Sequence, residues 1–176
     1  LIGQDNINPT LRRLGLEKTS VVMDCFHLLC DLAGIDPSLP RSEVLNLMKE
    51  RYNSGELNPD TVAYDEGPHN NVSSPVEMNL LLEKLVDPEG VRDTSGELVI
   101  SPEGQDGALD IMKRQQLRHR IPYRLPRGTV VAHKTGTFHG VCNDCGIVFA
   151  DADGTKPAYA ISLMSKDLAN QLDGPE

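Results

Sequence analysis

The chain has 176 residues, of which 39% are hydrophobic and 24% charged, and a formal net charge of −9. That length supports one hydrophobic core burying about 70% of the unfolded surface, and the composition is that of a globular protein with a mainly aliphatic core, since aromatics are 4% and tryptophan is missing. The acidic balance argues against nucleic acid as a partner, and no apolar run approaches the roughly 20 residues of a membrane span.

In chain order, Asn8-Pro9 ahead of "TLRRLGL" predicts a short helix with Asn8 as N-cap, Pro9 at the first position and Gly15 at the end. "MDCFHLLCDLAG" is apolar nearly all round and reads as a buried helix closing at Gly34, with His27 as a hydrogen-bonded core histidine. "RSEVLNLMKERYNSG" carries Val44, Leu45, Leu47, Met48 and Tyr52 at helical spacing and predicts an amphipathic helix. Residues 55–73 have no periodicity and read as a long surface loop. Ser74, Pro75 and Glu77 form a helix start with a capping box, and Ser101-Pro102 opens another helix running toward Leu117. Between these two helices "VRDTSGELVI" holds a short hairpin or turn.

After Pro126 the pattern changes. "GTVVAHKTGT", "CGIVFADADG" and "PAYAISLMS" are β-rich and separated by "FHGVCND" and "ADADGTK", which predicts three consecutive antiparallel strands; "KDLANQL" then begins a further helix. Helices over 1–125 followed by a meander over 126–176 define an α+β arrangement, read here as part of one domain, with the strands covered by helices.

Charge is unevenly distributed. From Ile111 to Asn143 there is no acidic residue, yet Lys113, Arg114, Arg118, Arg120, Arg124, Arg127 and Lys134 fall there, a local basic surface suited either to an anionic small molecule or carboxylate, or to pairing with acids elsewhere. The cysteines Cys25, Cys30, Cys142 and Cys145 admit three readings: inert core thiols, a disulfide, or a four-ligand zinc set.

Chemistry concentrates in Lys134-Thr135-Gly136-Thr137. If Lys134 and Thr135 face one cleft, ammonium and hydroxyl together can bind a carboxylate, and Gly136 leaves room for a ligand beside the backbone. The Thr137 amide can then point at a carbonyl oxygen that becomes negative. "HKTGT" followed by "GVCNDCGIVF", preceded by "RIPYRLPRGTVVA" and the "SSPVEMNLLLEKL" helix, resembles the C-terminal part of class A β-lactamases and penicillin-binding serine hydrolases, and "LIGQDNINPTLRRLGLEKTS" resembles the segment beyond that family's S-D-N motif. The resemblance covers most of the chain and is poor over residues 35–70.

The resemblance implies a serine β-lactamase/transpeptidase-like fold whose sheet is incomplete in this chain, and an acyl-enzyme route acting on β-lactams or D-alanyl peptide amides of the peptidoglycan type. It implies no cofactor and no metal, and a periplasmic or extracellular setting. Lys134 would supply electrostatics near the nucleophile and Thr137 an oxyanion donor; Thr135 would bind the carboxylate, Gly136 give clearance, and His139 lie in the hairpin beside the cleft. Asn143 and Asp144 would brace the strand pair. Because the family's sheet takes strands from both ends of a longer chain, the exposed sheet edge here would favour a homo-oligomer.

The sequence also departs from the family. No Ser-x-x-Lys occurs in it, and Gln4-Asp5-Asn6 lacks the serine of S-D-N and lies too close to "LRRLGL". Glu43 in "RSEVLN" and Glu66 both fail the spacing of the family's deacylating glutamate, which favours slow turnover of an acyl-enzyme over fast β-lactam hydrolysis. Cys142 occupies a position where relatives often carry arginine. The chain alone is therefore expected to be inactive, and the competing reading is a non-catalytic binding module or pseudoenzyme, with zinc at the four cysteines as one variant.

Overall fold

The computed structural model describes residues 4–67 and 69–168. The described residues form two compact units, one drawn from residues 4–12 with 17–73 and the other from residues 13–16 with 74–168.

In the first unit α1 (Gln4–Arg13) starts before Asn8, so Pro9 lies inside the helix, where it has no N–H to give the preceding turn. Asn8 is not the N-cap. Its side chain instead clasps Val21, accepting from the backbone N–H at 2.8 Å and donating to the carbonyl at 2.9 Å. Helix α2 (Cys25–Ala33) is capped by Asp24, which accepts from the His27 N–H, and stops at Gly34. Only Cys30 and Leu32 of α2 are buried, the rest being half-buried or exposed, so it is not the all-round buried helix its composition suggests. His27 belongs to the first turn, outside the cluster of Cys30, Ile35 and Val44; it is exposed and meets Asp24 through Nδ1 at 2.8 Å, not a core histidine. Helix α3 (Arg41–Ser54) buries Val44, while Leu45 and Tyr52 face outward.

Residues 55–73 are better fixed than a surface loop. They contain a 3-10 turn at Val62–Tyr64, which Asp31 holds by accepting from the Thr61 hydroxyl at 2.6 Å and the Val62 N–H at 3.0 Å. Ser20 and Val72 exchange two backbone bonds, and the Asn71 side chain accepts from the N–H groups of Val22 and Met23. Polar side chains substitute here for a sheet ladder, which is why hydrophobic periodicity gave no signal.

In the second unit α4 (Pro75–Lys84) and α5 (Pro102–Lys113) have the expected starts: Ser74 and Ser101 each accept from the N–H three residues on. Helix α5 ends at Lys113, short of Leu117. A small hairpin, β1 (Val91–Arg92) with β2 (Leu98–Ile100), lies between them. The main sheet has the order β3 (Val131–Phe138), β4 (Val141–Phe149), β5 (Pro157–Leu163), all antiparallel. The β3–β4 turn is only His139-Gly140; "VCND", read from sequence as turn residues, is the start of β4. Residues 164–168 are not helical, and the rest of the expected terminal helix lies outside the described residues. There Leu168 donates its N–H to the Gly140 carbonyl, so the chain leaving β5 returns to the hairpin tip.

One sheet face packs Ala132, Ile147 and Phe149 against Leu82 of α4 and Leu109 of α5. The other packs Val131 and Val148 against Ile121 from a 3-10 turn, Ile121–Arg124. Ser162 donates to the Asn79 side chain and Gln105 to the Lys84 carbonyl, tying β5 to α4 and α5 to α4. Gly146 is dictated by close approach: a Cβ there would lie 2.5 Å from both the Ala132 carbonyl oxygen and the His133 Cβ.

Asp93 organises the β1–β2 turn. It accepts from the N–H groups of Ser95 and Glu97 and the Ser95 hydroxyl, and pairs with Arg13 at 2.8 Å. Hydrogen bonding from the Ser95 side chain first, then from Arg13 and the two amides, outweighs burial and holds the carboxyl far below its usual range.

Two outcomes follow from this packing. Gly146→Ala should cost about 3 kcal/mol, since the clash is with backbone on the neighbouring strand, measured as a lowered urea midpoint. For Asp93 the folded carboxyl is the stronger acid, so its stabilisation is present above the unfolded value of about 3.9 and is lost as pH falls through the folded one. The stability gap between the wild-type protein and Asp93→Asn should therefore narrow steadily below about pH 5 in urea titrations at stepped pH.

Candidate functional site

Side chains alternate across a strand, and the pairing carries that alternation to its neighbours. Lys134 lies opposite Cys145, itself opposite Ser162; Thr135 lies opposite Asp144, itself opposite Leu163. Lys134 is exposed while Thr135 is buried, so the two point to opposite faces of the sheet. The ammonium and hydroxyl expected side by side in one cleft are thus not supplied by these neighbours. The Lys134 Nζ instead folds back to donate to the Thr135 carbonyl.

A cation does meet a hydroxyl two residues on. Thr137 is exposed on the same face as Thr135, and its Oγ1 accepts from Nη2 of Arg120. Nη1 of the same guanidinium donates to the carbonyls of Gly136, at 3.0 Å, and Asn143, spanning β3 and β4. A planar, permanently charged fork with several donors suits three acceptors at once in a way a lysine does not.

Arg120 immediately precedes the 3-10 turn, and that turn is fixed from inside the sheet. The Ile121 N–H donates to Asp144 Oδ2 at 3.0 Å, while His133 Nδ1 lies 2.9 Å from Oδ1 and 3.1 Å from Oδ2 of the same carboxylate. Asp144 is 1% exposed and His133 0%. Because the carboxylate accepts, the imidazole hydrogen sits on Nδ1. Asn143 braces the other side, its Oδ1 accepting from the Ser165 N–H at 2.9 Å, and the Ser165 hydroxyl donates to the Cys142 carbonyl.

Gly136 is exposed, and a Cβ there would come no closer than 3.9 Å to another atom, the Asn143 Cβ. Internal packing does not require glycine at that position, in contrast to Gly146. His139 is exposed at the hairpin turn. Glu43 and Glu66 are both exposed, in the first turn of α3 and after the 3-10 turn of the first unit respectively. All four cysteines are free thiols; burial pushes Cys145 upward in pKa, against a smaller opposing effect of the Ser162 hydroxyl, and burial likewise raises Cys30. Among the described residues no three His, Cys, Asp or Glu side chains converge as a metal ion would need.

Sequence reasoning missed Arg120 as an individual and His133 altogether. The signal for Arg120 was the acid-free basic stretch around it; for His133 there was none beyond its neighbouring the Lys-Thr-Gly run.

This helix-covered antiparallel sheet is shared with solved penicillin-binding and β-lactamase structures. Aligned with PBP-A, the chain has 23% identity and a TM-score of 0.57, with 98% of this chain and 46% of that one covered; a variant of PBP-A solved as an acyl-enzyme with penicillin G gives the same values. For a β-lactamase from Sphaerobacter thermophilus the identity is 19% and the TM-score 0.60, covering 98% and 48%. These likenesses define the class of fold. The chain belongs to the β-lactamase enzyme family, whose model matches residues 1–175. It spans about half the length of the solved structures it resembles, and no curated protein matches it.

Arg120→Lys keeps the charge but cannot reach all three acceptors. It should cost roughly 1–3 kcal/mol by urea unfolding and raise the hydrogen-exchange rate of the Thr137 amide, with the α4–α5 side of the sheet unaffected.

Proposed function

We propose that this chain is the substrate-recognition portion of a β-lactamase-like serine hydrolase that acts on β-lactams or D-alanyl peptide amides through an acyl-enzyme. The observation that carries this reading is the family match across residues 1–175. The Arg120–Thr137 contact supports it, because a guanidinium and an exposed hydroxyl on β3 suit the carboxylate that both substrate classes carry. In this reading Thr137 contributes its amide to an oxyanion hole, Lys134 adds positive potential from its own side of the strand, and Thr135 is the buried support beneath them. Gly136 leaves room for substrate along the backbone, and His139 stands at the adjoining hairpin turn.

The acylating serine and its lysine would come from residues outside these 176, since no Ser-x-x-Lys occurs here. That same gap favours one alternative, a pseudoenzyme that binds peptide without cleaving it. A zinc-bearing module has no support from the arrangement of the described residues. We further propose a periplasmic or extracellular setting, and self-association of the isolated chain along β5, one of the two edge strands, where Tyr159 and Leu163 are exposed.

Fluorescent penicillin separates the readings. The complete gene product should take a covalent label that persists through denaturing electrophoresis and is lost slowly, for want of a glutamate at the expected spacing, whereas the 176-residue chain should take none. A complete product that stays unlabelled would leave the pseudoenzyme; label on the 176-residue chain would place a nucleophile within it and overturn the proposed division of labour.

A further inference from the structure

His133 and Asp144 are among the most buried side chains of the chain, and they form a charged or strongly polar pair where apolar residues would pack at least as stably. The pair is not fully compensated. His133 Nε2 and Arg120 Nε are both buried without a hydrogen-bond partner among the described residues. Room for the imidazole comes from Gly146, directly opposite it in register, whose Cβ would collide with that of His133. Three departures from ordinary core packing therefore converge on one carboxylate.

What that carboxylate does is specific. Oδ2 accepts from the N–H of Ile121, the residue after Arg120, while His133 holds both oxygens from β3. The backbone position from which Arg120 departs is thereby fixed relative to β3 and β4, the two strands whose Gly136 and Asn143 carbonyls its guanidinium then spans on the way to Thr137.

We propose that His133–Asp144 is a positioning pair that aims Arg120 at a substrate carboxylate beside Thr137; this rests on the hydrolase reading above. Neither His133 nor Asp144 touches substrate. They act through the Ile121 amide and the direction it gives to the guanidinium, and so should influence ligands that carry a carboxylate and not ligands that lack one.

The test compares acylation of the complete gene product by benzylpenicillin and by its methyl ester, in which the carboxylate charge is gone. Asp144→Asn should slow acylation by benzylpenicillin about tenfold, the equivalent of one misdirected charge-assisted hydrogen bond, and acylation by the ester by less than about twofold. His133→Asn, whose amide can still donate from near the Nδ1 position, should retain most of the wild-type selectivity. Equal losses for both ligands would overturn the proposal, because a merely structural role lowers both. A second measurement needs no activity: in the 176-residue chain, Asp144→Asn should shift the Arg120 Nε–H resonance and raise exchange of the Ile121 amide at least tenfold, with the α4–α5 resonances unmoved. If the wild-type product takes no label the hydrolase reading fails, and unchanged Arg120 and Ile121 signals would sink the positioning role independently.

Discussion

A carboxylate removed from water inside a sheet is among the most expensive groups a fold can contain, costing several kcal/mol unless its oxygens are satisfied. Asp144 meets that demand with two donors from different parts of the chain, the His133 ring and the Ile121 amide. It therefore acts as a junction: β4 supplies the carboxylate, β3 the imidazole, and the segment entering from α5 the backbone N–H. Arg120 closes the same junction from outside, donating to carbonyls on both strands. The Lys-Thr-Gly-Thr stretch is held within this arrangement through the Gly136 carbonyl and the Thr137 hydroxyl.

The two-residue period of a strand decides which of those side chains act together. Lys134 shares its face with Cys145 and Ser162, above the helix-packed core, whereas Thr135 and Thr137 share theirs with Asp144 and Cys142. Adjacent residues in a motif are close in sequence and opposed in space. Lys134 and Thr135 therefore do not act from one side of the sheet, and the cation that meets a hydroxyl on the Thr135 face is Arg120, at Thr137.

Local features of the sequence predicted local features of the structure. Ser74-Pro75 and Ser101-Pro102 announced α4 and α5 because the cap and the first turn lie within four residues. The three strands were legible from β-branched composition, and the α+β order of elements followed from them. Failures came where a residue's partner is distant or its type ambiguous. Asn8 looked like a cap, yet its partner is Val21, thirteen residues on. Asn143-Asp144 has turn composition, but the pairing of β4 with β3 keeps it extended and gives Asp144 a partner eleven residues away. The Arg120 contacts span sixteen to twenty-three residues, beyond any window in which periodicity or capping can be read. Of the candidate site, the strand could be named from the sequence, but not the cation that meets Thr137.

The hairpin between β3 and β4 is also less independent than a two-residue turn suggests. Gly140, at φ +71, turns the chain in a conformation that favours glycine, and its carbonyl receives the N–H of Leu168, just after Asp167, itself left-handed at φ 58. The tip is therefore clamped by the segment that exits β5. Lengthening the turn at residue 139 would carry the Gly140 carbonyl away from that N–H, so turn length and the placement of residues 164–168 are coupled.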